Sequence, residues 1–324
     1  MINYSLLRPL SLLAVTGLVA MVVSVTIGTS PVALEDILAV LVGGGTELQQ
    51  TLILDLRLPR TLSAFATGGL LAVAGALMQV LLRNPLADPY VLGISGGAAV
   101  GALLAMLAGM AGFLVSGSAF AGAMLATSLV FGLAHGSGSW TPSRLLLTGV
   151  VVASGWGALI TLILAMTPAS RLPGMLYWLM GDLSHAGSPW PALVILVFAC
   201  ILVLPLGRTL NVLARGPMQA AALGVSVRPV EWLIYLLASL LTATAVTMAG
   251  SVGFVGLVVP HMLRLVLGND QRLILPACAL AGGTLLVLAD ALARVVIAPE
   301  QLPVGVITAL IGVPTFLYLL YRSR

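Results

Sequence analysis

Residues 63–82 read SAFATGGLLAVAGALMQVLL, twenty positions without one charged side chain. A helix of about 20 apolar residues spans the hydrocarbon core of a bilayer. In lipid only a helix or a closed barrel satisfies its own backbone. The pattern recurs along the chain. Apolar stretches fall at 10–28, 60–82, 93–110, 113–134, 145–166, 190–207, 230–249, 252–268, 273–296 and 304–321. Charges, prolines and glycines separate them, which predicts ten transmembrane helices. Charged residues are 7% of the chain, against roughly 25% in a soluble domain, too few to clothe a water-facing surface. The expected class is an all-α polytopic protein embedded in the lipid bilayer. Residues 1–324 read as a single transmembrane domain, because no polar stretch is long enough to fold separately. The first apolar stretch, Leu10 to Ile27, is longer than a secretory signal core and reads as the first span.

All 14 basic residues are arginine and none is lysine. A phosphate-binding P-loop needs its lysine, so any use of ATP requires a separate partner subunit. A net charge of +4, scattered along the chain, implies no nucleic-acid partner. Cys200 and Cys278 lie in apolar runs without a CxxC and read as buried free thiols. His135, His185 and His261 share no ligand spacing, so no metal site and no cofactor in this chain is expected. His261 reads as a hydrogen-bonded structural residue, after a helix break at Pro260. No catalytic triad or paired-carboxylate site is present, and the chain is not read as an enzyme.

Arginine bias sets orientation. With the N-terminus in the cytoplasm, Arg8, Arg83, Arg144, Arg208, Arg215, Arg228, Arg264, Arg272, Arg322 and Arg324 face inward, and only Arg57, Arg60, Arg171 and Arg294 face outward. Both termini are therefore expected in the cytoplasm. The stretch RLPR, residues 57–60, then stands outside, with Pro59 at a helix start and Arg57 and Arg60 at its entrance. The outer segment 29–56 predicts a short surface helix that starts near Ser30 and Pro31, with Glu35 and Asp36 in its first turns. Tyr177, Trp178 and Trp190 in the outer segment 167–190 suit an interface belt.

Inside, RNPLADP (83–89) reads as a tight, proline-limited turn. Ser143 is a candidate cap for the span that begins near Arg144. The cytoplasmic segment 208–229 holds GPMQAAALG, with Pro217 at a first helical position and Gly224 at a stop. A capped helix there suits a surface that pushes on another protein. Asp290 is the acid well inside a span, with Arg294 four residues on in the favourable order for a local structural pair. A stand-alone channel or secondary transporter would call for more intramembrane charge than that.

The motifs RLPR, GALMQ, RNPLADP, LGISGGAAVGA, SRLLLTGV, GSVGFVGLVVPHMLR, LLVLADALAR and LPVGVITALIGVPTFLYLL occur in this order. Together they resemble the iron-chelate uptake permeases, the group containing the ferric-siderophore, haem and vitamin B12 import permeases of bacterial ABC transporters. The resemblance covers residues 50–324. It implies the type II importer permease fold, in the bacterial inner membrane, with the pathway between two permease subunits, here expected as a homodimer. It implies two cytoplasmic ATP-binding cassette subunits and a periplasmic substrate-binding protein. Carried over by position, it implies binding-protein docking at Arg57, Arg60 and Arg294. It implies an inner gate at Asn84 and Leu86 and a second gate loop at Thr141, Pro142 and Ser143, where Pro142 departs from the usual small hydroxyl residues. It implies ATPase coupling through Leu213–Gly224, including Gly216, Pro217, Ala220 and Leu223. Many members carry an acid directly after the glycine at 216; here Pro217 and then Met218 follow, so shape and apolar contact carry more of that interface. Ser154, Thr161 and Met166 are expected to line the path. The implied cargo is an iron complex, ferric siderophore or haem, with vitamin B12 as the alternative.

Overall fold

The computed structural model describes residues 4–28, 30, 32–134, 141–184 and 186–322. His135, His185, Pro31 and Arg324 lie outside the described residues. Helices are α1 (Tyr4–Thr26), α2 (Leu34–Leu41), α3 (Glu47–Gln50), α4 (Leu58–Leu81), α5 (Ile94–Leu107), α6 (Phe113–Ala134), α7 (Pro142–Met166), α8 (Leu172–Met180), α9 (Trp190–Val203), α10 (Gly207–Leu213), α11 (Pro217–Ala222), α12 (Val227–Ala249), α13 (Val255–Leu267), α14 (Gln271–Ala293) and α15 (Val304–Arg322). Each of the ten expected spans corresponds to one of α1, α4, α5, α6, α7, α9, α12, α13, α14 and α15.

Helix α4 is the axis of the bundle. It is buried without interruption from Ala66 to Leu81, with α14, α12, α13, α9 and α1 packed around it. Apolar helices gain nothing from hiding one another from lipid, so close backbone approach must supply the attraction. Two glycine contacts provide it. A Cβ on Gly68 would stand 2.1 Å from the Gly282 carbonyl oxygen, and one on Gly75 would stand 1.8 Å from that of Gly256. These glycines bring α14 and α13 against α4 closer than any side chain permits.

Pro59 lies in the first turn of α4, as expected, but the chain is already helical before it. The helical rod begins at Glu47 and runs to Leu81, passing through a π-helical stretch, Thr51–Arg57. Thr46 caps it, accepting from the Gln49 N–H at 3.3 Å while Gln49 Oε1 accepts from the Thr46 N–H at 2.8 Å. A proline inside a helix lacks an N–H and its ring crowds the carbonyl four residues back. The π stretch absorbs this: just before Pro59, the Leu58 N–H bonds five residues back, to Ile53. Glutamate and aspartate in 47–56 hid this rod from a hydropathy-based segmentation.

Pro260 likewise does not break α13, which runs through it. The carbonyl it strands, Gly256 O, receives the Gln79 side-chain amide at 3.4 Å, and Leu257 O receives it at 3.3 Å. Ser143 is not the cap of α7; Thr141 is, its hydroxyl accepting from the Arg144 N–H at 3.3 Å with Pro142 at the first helical position. Helix α2, expected at the outer surface, starts at Leu34, with Asp36 Oδ2 accepting from the Ala33 N–H at 3.2 Å. His261 packs edge-on to Phe316, ring centroids 6.4 Å apart, and carries no ring hydrogen bond among the described residues.

Helices α5 and α13 are short, 14 and 13 residues. Each follows a left-handed residue, Gly93 at φ 70° and Phe254 at φ 69°. Their starts meet inside the bundle: the Ser95 and Ser251 hydroxyls are bonded, and the Val252 N–H donates to the Tyr90 hydroxyl at 3.2 Å.

Candidate docking, gating and coupling sites

The expected outer arginines are not an exposed triplet. Arg57 and Arg294 are each 6% exposed. Arg57 turns back under the rod and donates to Val25 O at 2.7 Å, Thr26 O at 3.2 Å and Ser30 O. Arg294 donates to Ser24 O at 2.9 Å, Ser24 Oγ at 2.7 Å and Ile27 O at 3.2 Å. Except for Ser30, those groups lie at the C-terminal end of α1, where the last carbonyls lack helical donors and a cation meets the negative end of the helix dipole; Thr26 O also accepts from the Val32 N–H at 3.2 Å. Burial follows from that task. Arg57 and Arg294 fasten α1 to the bundle and offer no surface for a partner.

Asp290 joins them. It is fully buried, with Arg294 Nε 3.1 Å from Oδ2, so the expected structural pair is present. Arg60 is the stronger partner, giving Nε at 3.0 Å and Nη2 at 2.9 Å to Oδ1. The third Arg60 nitrogen, Nη1, reaches Gln301 Oε1 at 2.7 Å on the exposed side. Arg60 keeps 14% of its side chain exposed and alone among the three presents a guanidinium edge outward. Its partnership with Asp290, 230 residues away, was invisible in the sequence, which offered the nearer Arg294.

At the opposite end, Asn84 Oδ1 accepts from the Leu86 N–H at 2.9 Å, which pins the turn and leaves Leu86 exposed. Asp88 caps the next turn, accepting from the Tyr90 N–H at 2.7 Å. Burial pushes its carboxyl up to about 6, against the lowering pull of that bond. Thr141 and Ser143 are exposed and Pro142 half-exposed.

The 213–224 segment divides into fasteners and a face. Leu213 and Ala220 are buried in the chain's own core, so they anchor the helix and cannot touch a partner. Gly216, at φ 126°, turns the chain into Pro217, the first helical residue. The far end is a Schellman motif: Gly224 at φ 81°, its N–H on Ala221 O at 3.0 Å, and the Val225 N–H on Ala220 O at 2.9 Å. Between these caps Met218 is 85% exposed and Leu223 71%. Met218 carries the largest exposed apolar surface of α11, a role its position after Pro217 alone did not disclose.

Helix α7 buries only Leu145, Gly149 and Ile163. Leu147, Val151, Ser154, Thr161 and Met166 are all exposed on it. Ser154 and Thr161 return their hydroxyls to Val150 O and Gly157 O at 3.0 Å, so the surface they offer is weakly polar.

Among the described residues, seven helices long and apolar enough to span a membrane, with three shorter apolar helices packed among them, make the chain a polytopic helical membrane protein. The chain belongs to the FecCD transport family, which it matches over residues 15–322. It is 43% identical over 286 residues to the cobalamin import system permease BtuC of Halobacterium salinarum, covering 87% of this chain and 76% of that one. It is 41% identical over 281 residues to the hemin transport system permease HmuU of Yersinia pestis, covering 84% and 83%. A metal-chelate type ABC transporter solved in an inward-facing conformation superposes with a TM-score of 0.86 at 31% identity, over 97% of this chain and 99% of that one. The chain is thus a multi-pass ABC importer permease, a membrane component without catalytic chemistry of its own.

Proposed function

We propose that this permease passes an iron complex, ferric siderophore or haem, through the bacterial inner membrane, with both termini in the cytoplasm. The observation that carries this reading is the full-length match to a metal-chelate type transporter, together with the weakly polar face of α7. Two copies place their α7 faces on either side of the path. Such a wall holds cargo loosely, so selectivity lies in a periplasmic binding protein. That protein docks at the outer end, where Arg60 supplies the accessible charge and Arg57 and Arg294 hold the platform beneath it. ATP-binding cassette subunits dock on Met218 and Leu223 and move α11 when they bind ATP. Asn84 and Leu86, with Thr141–Ser143 of the second loop, close the inner end.

A second reading, cobalamin as cargo, is favoured by the relative from Halobacterium salinarum. The test is uptake into vesicles holding the permease, its ATP-binding partner and its binding protein. ATP-dependent accumulation of a ferric chelate or haem but not of cyanocobalamin is expected. Accumulation of cyanocobalamin alone selects the second reading, and uptake without the ATP-binding partner sinks both.

A further inference from the structure

Beside α11 lies a cavity of about 590 Å³ at the ends of α4, α10 and α13. Arg83, Arg215 and Arg264 line it, and Asp270 is its acid. Asp270 is already committed: Arg272 binds it with Nη2 at 2.6 Å and Nε at 3.0 Å, and the Asn211 side-chain amide donates at 2.9 Å. Arg264 donates to Gln79 Oε1, a neutral acceptor. No ion pair within 4 Å reaches Arg83, Arg215 or Arg264 among the described residues; Glu231 interacts with Arg83 only at longer range. Arg83 is a non-glycine residue at φ 50°, an uncommon conformation that costs energy and turns up where function holds it. Three guanidinium groups thus share one pocket without an acid of their own.

Arg215 lines the pocket, is exposed, and precedes Met218 by three residues, so the chain leads from the pocket directly into α11. Helix α11 itself, PMQAAA, carries no charge. A protein that covers Met218 must lay its adjoining surface over Arg215. We infer that an acidic side chain of the ATP-binding subunit enters this pocket and pairs with Arg215, Arg83 or Arg264. The carboxylate matches the planar guanidinium fork and supplies the orientation that two exposed apolar side chains lack. The inference rests on α11 being the docking point of that subunit.

The absence of lysine makes the test specific. The R215K and R83K variants each introduce the chain's one lysine amine. Carbodiimide treatment of the assembled complex should join that amine to an aspartate or glutamate of the ATP-binding subunit, mapped by mass spectrometry. The R171K variant, at the other end of the bundle, should give no such link. In parallel, R83Q/R215Q should weaken the subunit's binding roughly 10-fold at low salt and flatten its salt dependence. Absence of a cross-link from both positions in an assembled complex overturns the inference. So does R83Q/R215Q binding with wild-type affinity and salt dependence, even where inorganic phosphate is found to occupy the wild-type pocket. The M218D variant separates the two levels. Loss of assembly in M218D with unchanged binding in R83Q/R215Q leaves the docking point standing and removes the pocket.

Discussion

The outer arginines show what a single residue's neighbours decide. RLPR in a sequence looks like two charges waiting for a partner, yet Arg57 spends its donors on α1 and Arg60 most of its own on Asp290. Spacing within the motif could not show this, because every acceptor lies 27 or more residues away. Removing Asp290 therefore strips the ion-pair partner from one buried cation, Arg294, and from one part-buried cation, Arg60. The D290A variant should lose about 3–5 kcal/mol of stability, the usual cost of breaking a buried pair on one side. Replacing Asp290, Arg60 and Arg294 together by apolar residues should cost less than that single change. Thermal unfolding in detergent checks both, and a small effect of D290A would mean the cluster is already wet. R60E should impair binding-protein docking, and because it sets a second carboxylate beside the buried Asp290 it should also lower Tm, so docking is compared below the temperature at which the variant unfolds. Asp88 gives a pH signature. Its carboxyl, raised to about 6, holds its proton more tightly folded than unfolded, where about 4 is ordinary. Its contribution is present below pH about 4 and is lost as pH rises through about 6. D88N keeps the cap and cannot titrate, so its Tm should vary less between pH 4 and pH 6.5 than that of the wild type.

At the scale of elements, all ten spans were legible, because each is an apolar run and lipid leaves the backbone no alternative. Their ends were not. Thr141 rather than Ser143 caps α7, Pro260 lies inside α13, and the rod carrying Arg57 begins at Glu47. At Pro260 a contact from another element, and before Pro59 a π turn, rescued what local rules forbid, while Thr141 is an ordinary local cap two residues earlier than expected. Gln79 is the clearest instance: one side chain on α4 reaches the Gly256 carbonyl that Pro260 frees on α13, and the Leu257 carbonyl beside it, and no local pattern announces it. The glycine contacts are similar, since many glycines occur and only some bear weight. G75A pushes a methyl group to 1.8 Å from a backbone oxygen, and neither helix can yield without leaving the other. It should lower folded yield and Tm sharply, by at least the roughly 1–3 kcal/mol typical of overpacking. G117A, on α6 with open space around it, should be neutral. Equal behaviour of the two would show that α4 and α13 do not depend on that close approach.

For the whole molecule, buried area divides the chain into a rigid half and a half awaiting company. Helices α4, α12 and α14 form the buried mass, with α7 left almost bare. Bare apolar surface on a membrane helix faces lipid, a second copy or the path, and hydropathy alone does not separate these. Ser154 and Thr161 do not decide the choice, since each hydroxyl is satisfied by its own helix and is compatible with lipid as well as with the path. Water access discriminates. Cysteines placed at Val151, Ser154 and Thr161 should react with a membrane-impermeant maleimide in the assembled transporter. Their rates should change when ATP is bound by the partner subunits. Cysteines at Val197 and Ile201, exposed on α9, should stay unreactive in lipid. Both native thiols make a quiet background, Cys278 being fully buried and Cys200 half-buried. Uniform protection along both helices would place α7 against lipid and move the path elsewhere. Labelling that rises on α7 alone, and follows the nucleotide, puts the weakly polar face of this helix on the route the cargo takes.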